Sequence, residues 1–376
     1  MIGQLLYRLR LQGNKLCFRF FGRPFCWMML KLTAPVRRSR RQRFERYPMP
    51  PESVCVAFFR RGLGDALYLS ALWPHIRQAF PKARLQLATF EASLLLFDGL
   101  PGVDSRIGCP DFHRAGPRGL VAFMRPALRM RTADSFDLCF DISPTLDAPS
   151  AVWCRVACRG LVAGVGGLFK QLFFDVPVDI DWTKPFFEAM AQPLKAMGIP
   201  ASPPSFFIPP ETSLNGLLPE DVQQGAAIVI APGGRKQAMG IRDEAWRFTH
   251  FAELAAALLK RGYRVVLVGA EYDRAYVASF DPHPNLFDLT GKTSVRQLFT
   301  VVRKARIVLC NNSGLLHLAA VLEVPTVSYA SPEQNLMRWA PYPAHPRHMV
   351  LQARDGVPVS AEKFLAAVLR RLQPSA

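Results

Sequence analysis

The sequence predicts an α/β protein built from two doubly wound halves, and three observations carry that expectation. Short apolar runs of strand length alternate with helix-like stretches, which implies parallel strands covered on both faces. The alternation is interrupted by a proline-rich stretch containing Pro200, Pro203, Pro204, Pro209 and Pro210, and then restarts. Finally, 376 residues of which half are apolar and 20% charged suffice to bury two cores.

Residues 1–52 stand outside this alternation. They carry 12 Lys/Arg against 2 Asp/Glu, more than half of the chain's formal charge of +18. Nucleic acid, an anionic membrane surface and an organellar import receptor would each suit such a segment. Its composition favours the membrane surface. Phe18, Phe20, Phe21 and Trp27 are interleaved with Arg19 and Arg23, and no uncharged stretch reaches the roughly 20 residues needed to span a bilayer. A secretory signal is not expected, because no compact apolar block ends in a small-residue cleavage site. Aromatic and aliphatic groups mixed with arginine fit the headgroup region, and the cluster from Arg37 to Arg43 adds attraction to anionic lipid. We therefore expect a basic amphipathic N-terminal extension over 1–52 on a cytoplasmic, membrane-peripheral protein. Outside it there is no dense basic stripe with stacking aromatics, so no nucleic-acid partner is expected.

From residue 53 the elements follow in order. Residues 53–59 (SVCVAFF) read as a strand, followed by Arg60-Arg61-Gly62-Leu63-Gly64-Asp65 and a helix to about 80. Strands at 84–89, 104–109 and 136–142 and helices at 118–132 and 184–197 complete a first domain over 53–198. A stiff linker is expected at 199–225. In the second domain, 226–350, strands at 227–230, 264–268, 286–289, 307–310 and 326–329 alternate with helices near 247–261, 294–304 and 314–323. The tail, 351–376, ends in a helix with Phe364, Leu365, Val368, Leu369 and Leu372 at i, i+4 spacing. The eight cysteines form no paired framework and read as reduced, mostly buried thiols. Cys154 and Cys158 are spaced to share a helix face, but no His or further Cys pair joins them, so no metal site is expected.

Two halves of this kind put a cleft between the carboxyl ends of two sheets, where open α/β folds bind ligands. Three loops at strand carboxyl ends carry candidate chemistry. In 60–65, Gly62 and Gly64 permit a tight turn, and Asp65 at a helix N-terminus reads either as a cap or as a reactive carboxylate. This is not the six-residue glycine fingerprint of dinucleotide binders. In 310–317 (CNNSGLLH), the free N–H groups of a helix start suit a diphosphate, with Ser313 and His317 as further donors. A capped helix with a core histidine would read the same way. In 231–236 (APGGRK), Gly233 and Gly234 precede Arg235 and Lys236, cations suited to phosphate oxygens, although Pro-Gly-Gly is also ordinary turn chemistry. Together the three point to a nucleoside diphosphate ligand.

Longer motifs add a resemblance. Ile230-Ala231-Pro232-Gly233, Phe251-Ala252-Glu253-Leu254, Val266-Leu267-Val268-Gly269, Leu289-Thr290-Gly291-Lys292-Thr293-Ser294 and Asn311-Asn312-Ser313-Gly314-Leu315-Leu316-His317-Leu318-Ala319-Ala320 resemble the heptosyltransferase family of the lipopolysaccharide inner core, glycosyltransferase family 9. Gly64-Asp65-Ala66-Leu67 with Ile76-Arg77-Gln78-Ala79-Phe80-Pro81 resembles that family's opening motif, and the likeness covers roughly 53–345. It implies a GT-B fold, two Rossmann-like domains with an interdomain cleft and a final helix packing back towards the first. It also implies inverting, metal-independent transfer of heptose, without a cofactor, from ADP-heptose to a phosphorylated lipopolysaccharide-core acceptor at the inner membrane.

Under that resemblance Asp65 is the general base. Ser313, Gly314 and His317, with Asn312, Gly233 and Lys236, bind the donor's diphosphate or sugar. Glu271, with Asp273 as a near alternative, holds the ribose hydroxyls, and Lys292 and Thr293 lie in the loop passing the adenine. Gly64 and Asp141 fall on the acceptor side, where Arg60, Arg61, Arg114 and Arg118 are candidate phosphate contacts. The chain departs from the family twice: Asn312 stands where relatives commonly have Asp, and Glu244, two residues before Trp246, stands where they have Lys. The departures keep two other readings open, a transferase using another nucleotide-sugar and a non-catalytic membrane-associated family member.

Overall fold

The computed structural model describes residues 34–35, 38–39, 41–42 and 50–373, apart from 113–115, 146–147, 182, 203, 225–226, 234–245, 247, 332–335, 342–343 and 354–358. The expected N-terminal extension lies almost entirely outside the described residues. Two compact units emerge: Met1–Arg61 with Tyr68–Ser205, and Gly62–Leu67 with Phe206–Ala376.

The first unit contains β1 (Ser53–Phe58), α1 (Leu63–Ala79, whose first residues group with the second unit), β2 (Arg84–Phe90), β3 (Ser105–Cys109), α2 (Gly116–Ala133), β4 (Phe136–Thr145), α3 (Pro149–Ala157), β5 (Cys158–Gly166), the short α4 (Leu168–Gln171), β6 (Val176–Val178) and α5 (Phe186–Ala196). Its six strands are all parallel, in the order β3-β2-β1-β4-β5-β6. Every residue of β1 is buried, as a central strand with both faces covered requires. On one face α2 and α3 enclose Phe123, Ala127, Trp153 and Cys154 with Phe59, Phe90 and Phe136. Burying such a large side chain fully contributes about 1.5–3 kcal/mol.

Sequence reasoning missed α3, β5 and β6. β5 (CRGLVAGVG) carries glycines that look like loop residues, yet Gly160 passes against the Asp137 backbone and Gly164 lies under the Phe174 ring, where no side chain fits. Because α3 ends at Ala157 and Cys158 opens β5, Cys154 and Cys158 do not share a helix face. All six described cysteines are free and buried, as expected.

The second unit contains α6 (Glu220–Gln223), β7 (Ile228–Ala231), α7 (Phe248–Leu259), β8 (Val265–Leu267), β9 (Leu286–Asp288), α8 (Val295–Arg303), β10 (Ile307–Asn311), α9 (Gly314–Val321), β11 (Thr326–Ala330), α10 (Leu336–Trp339), β12 (His348–Gln352) and α11 (Ala361–Leu372). Its parallel sheet runs β12-β11-β10-β7-β8-β9, the strand order of the first unit repeated.

The units divide between Ser205 and Phe206, and Leu214, Leu218 and Val222, placed in the linker by the prolines, belong to the second unit's core. Thr212 N–H also donates to Thr300 Oγ1 at 3.0 Å. The buried face of α11 (Phe364, Ala367, Val368 and Leu372) belongs to the second unit's core with Trp246 and Phe251. Among the described residues no helix is long and apolar enough to cross a membrane.

Candidate functional site

In each sheet the strand order reverses beside the first strand: between β1 and β4, and between β7 and β10. The crevice outside the carboxyl ends at such a reversal is the usual ligand position of an open α/β sheet. The loops singled out in the sequence leave β1, β7 and β10, so all three flank a reversal point.

The closest approach lies within the second unit. Segment Gly62–Leu67, the first turn of α1, packs against the start of α9, with Leu63 and Leu67 on the core that holds Leu315 and Leu316. Gly64 and Gly314 make this possible. A Cβ on Gly64 would stand 2.6 Å from His317 Cδ2, and one on Gly314 3.1 Å from Gly64 N. Two helix N-termini, each a cluster of N–H groups without intrahelical partners, therefore lie together with Asp65 in the first turn of one of them. His317 is buried, and desolvation pushes its imidazole down to about 4 against the opposing pull of the Asp65 carboxylate. At neutral pH it is an uncharged donor and acceptor.

Ser313 is the N-cap of α9, yet its hydroxyl makes no capping bond. Asn312 donates its backbone N–H to Tyr329 O at 2.8 Å, while its buried Nδ2 has no hydrogen-bond partner among the described residues. The neighbouring Asn311, absent from the sequence-based candidates, is fully engaged. Its Oδ1 accepts from Trp246 N at 2.9 Å, and its Nδ2 donates to Pro232 O at 2.9 Å and Trp246 O at 3.3 Å. Asn311 thus ties the end of β10 to both ends of the 232–246 loop. Trp246 is held in turn by a bond from Nε1 to Val359 O at 2.7 Å and by stacking on Phe364. Lys236, with Arg235, Arg242 and Glu244 of the same loop, lies outside the described residues.

Between the two carboxylates after β8, the structure discriminates. Glu271 is exposed and pairs with Arg274 at 3.2 Å. Asp273 is buried, accepts from Ala270 N at 2.9 Å and lies directly beneath Gly233. Asp273 therefore shapes the floor of the glycine loop, and Glu271 is the one that reaches outward. Lys292 donates to Asp288 O at 2.7 Å and pairs with its carboxylate at 3.0 Å. Thr293 precedes Ser294, which caps α8 by accepting from Gln297 N at 3.2 Å. Among the described residues no group of three or more His, Cys, Asp or Glu is placed to hold a metal ion.

In the first unit the expected acceptor residue Asp141 lies inside the fold. It is fully buried in β4, 3.0 Å from the equally buried Lys170 Nζ, and accepts from Ser150 Oγ at 2.8 Å and Ser143 N at 3.1 Å. Burial pushes its carboxyl up, and the Lys170 ammonium opposes this. With its oxygens engaged and no exposed surface, Asp141 is part of the scaffold in this structure. Ser143 Oγ accepts from Phe59 N at 3.0 Å, so the network steadies the chain just before Arg60 and Arg61. The Arg60 guanidinium stands 5.0 Å over the Phe186 ring, and Arg61 pairs with Asp111 and lies over Phe90.

With this geometry in place, known proteins supply the context. A model of the family described as glycosyltransferase family 9 (heptosyltransferase) matches residues 150–362. Lipopolysaccharide heptosyltransferase 2 of Salmonella typhimurium is 32% identical over 93 residues, 23% of this chain and 27% of that protein, so the match spans about a quarter of the relative's length. Among solved structures, a family 9 glycosyl transferase from Veillonella parvula superposes with a TM-score of 0.68 at 17% identity, covering 86% of this chain and 98% of that one. An Escherichia coli heptosyltransferase with ADP-2-deoxy-2-fluoro heptose gives 0.61 at 19% identity, over 85% and 99%. These structural likenesses show the fold, GT-B in class as the sequence led us to expect. Because the family model covers more than half of the residues, the chain belongs to glycosyltransferase family 9, the heptosyltransferases.

Proposed function

We propose that this protein transfers heptose from ADP-heptose to a phosphorylated lipopolysaccharide-core acceptor in a single inverting displacement that uses no metal. The observation that carries the reading is the apposition of the α1 and α9 N-termini, with Asp65 and the neutral His317 beside glycines at which a side chain would crowd the facing segment. Asp65 takes the proton of the acceptor hydroxyl as that oxygen attacks the anomeric carbon. The bond from that carbon to the diphosphate breaks, and ADP departs with the electron pair. Negative charge grows on the diphosphate, where the free N–H groups of α9, the Ser313 hydroxyl and the His317 ring N–H are suited to receive it. A neutral histidine suits this place because it donates a hydrogen bond without adding a positive charge beside Asp65. Glu271 reaches outward where it meets the ribose hydroxyls. The donor reading draws support from the fold shared with the E. coli heptosyltransferase bearing ADP-2-deoxy-2-fluoro heptose.

The acceptor is a lipid-anchored glycan, so the protein works at the cytoplasmic face of the inner membrane, with the basic, aromatic residues 1–52 on the anionic leaflet. The full-length protein with ADP-heptose and a truncated lipopolysaccharide acceptor should release ADP and yield a heavier glycolipid. Asp65→Ala should lower kcat by about 100- to 10,000-fold, the usual contribution of a positioned base. Unchanged turnover in that variant would remove Asp65 from the mechanism.

A further inference from the structure

Helix α2 of the first unit presents an outer face of which the reading above draws only on Arg118, as a candidate acceptor-phosphate contact. Phe123 and Ala127 are fully buried in the core. At 3.6 residues per turn the opposite side of the helix carries Arg118, Val121, Arg125, Leu128, Arg129 and Thr132, spaced three or four apart. All six are exposed. Val121 is 61% and Leu128 55% exposed, two of the largest apolar exposures among the described residues. The helix holds four arginines and no acidic residue over Gly116–Ala133. Arg118, Arg125 and Arg129 have no ion pair or hydrogen-bond partner from their side chains among the described residues. Helices of a water-facing surface ordinarily mix both signs of charge, and this one does not.

We propose that this face of α2 docks on an anionic phospholipid bilayer, with Val121 and Leu128 entering the headgroup boundary and Arg118, Arg125 and Arg129 on lipid phosphates. Aliphatic groups alternating with arginines on one helical stripe are the pattern of an interfacial helix. Arginine adds a planar fork that matches phosphate, and its stem covers apolar surface while its head stays in water. A nucleic-acid strand is the poorer occupant, because the exposed stripe has no aromatic ring on which a base could stack. The inference rests on the helix alone and holds whether or not the transfer reading does.

The test uses the full chain with an environment-sensitive fluorophore on Leu128→Cys. A matched label on Lys260→Cys, at the end of α7 in the second unit, and the labelled parent chain report background. Vesicles of phosphatidylethanolamine and phosphatidylglycerol should shift emission at position 128 to the blue, and nitroxide-bearing lipid should quench it, with neither effect at position 260. Arg125→Gln/Arg129→Gln should weaken binding to these vesicles about tenfold and flatten its salt dependence. Its thermal unfolding should match the parent, because both side chains are exposed. The proposal is overturned if the vesicle-bound chain shows no shift at position 128, if it does not bind the vesicles at all, or if the double variant binds like the parent. A shift produced by single-stranded nucleic acid in place of vesicles would assign the face to another polyanion and overturn it equally.

Discussion

The two sheets share one strand order, and they treat the polar groups at their reversal points in opposite ways. In the first unit Asp141, Ser143, Ser150 and Lys170 satisfy one another, and the carboxylate and ammonium are sealed from water. In the second, Ser313 leaves its hydroxyl uncapped and Asn312 keeps a buried Nδ2 without a partner among the described residues. A buried donor left unsatisfied costs about 1–3 kcal/mol, so its retention is a mark of a position shaped for something else. One topology thus closes its polar groups on one another in the first unit and leaves two of them open in the second.

The largest stability effect expected from this contrast falls on the scaffold. Lys170→Met should destabilise the protein by about 3–5 kcal/mol, because Asp141 is left buried without its counter-charge. Denaturant unfolding measures it. Adding Asp141→Leu should recover most of the loss, whereas a single variant as stable as the parent would show that water reaches the pair.

The second unit's histidine gives a smaller, pH-dependent effect. An unfolded histidine binds a proton near its ordinary value of 6.5, whereas buried His317 does so only at about 4. The unfolded state therefore takes up protons first as pH falls, and the stability present above 6.5 is lost between about 6.5 and 4. For a wholly buried ring the loss is on the order of 3 kcal/mol. His348, lowered to about 4 by burial and by His345, Arg371 and Arg347, contributes in the same window but less, since it is only half-buried. Thermal unfolding of His317→Gln and His348→Gln across this range separates them, and an unaltered slope in His317→Gln would contradict a neutral buried imidazole.

Smaller again is Asn311→Ala. It strips the hydrogen bonds that join β10 to Pro232 and Trp246, at about 1–3 kcal/mol, and should raise the donor KM more than it lowers kcat. An equal fall in kcat with KM unchanged would place Asn311 in the chemistry and blur the division between holding and reacting.

Much of this was legible in the sequence. Period and length exposed most central strands, and the three chemistry-bearing loops lie at reversal points because parallel strands deliver their carboxyl ends to one side. What the sequence hid depended on which way a side chain turns. Asn311 and Asn312 are adjacent and alike, and only the end of β10 decides that one is tied down and the other left open. Lys170 reads as a surface lysine 29 positions from Asp141 until β4 and β5 pair and close over both. Glu271 and Asp273 could not be separated by spacing alone, because only the 3-10 turn over Glu271–Ser279 faces one outward and the other in.

Mass spectrometry of a truncated lipopolysaccharide acceptor, after incubation with the full chain and, separately, ADP-heptose and other nucleotide-sugars, decides whether heptose is transferred. The acceptor should gain the mass of one heptose with ADP-heptose alone, with release of one ADP for each sugar transferred. An acceptor unchanged by ADP-heptose, or extended only from a different donor, would contradict heptose transfer.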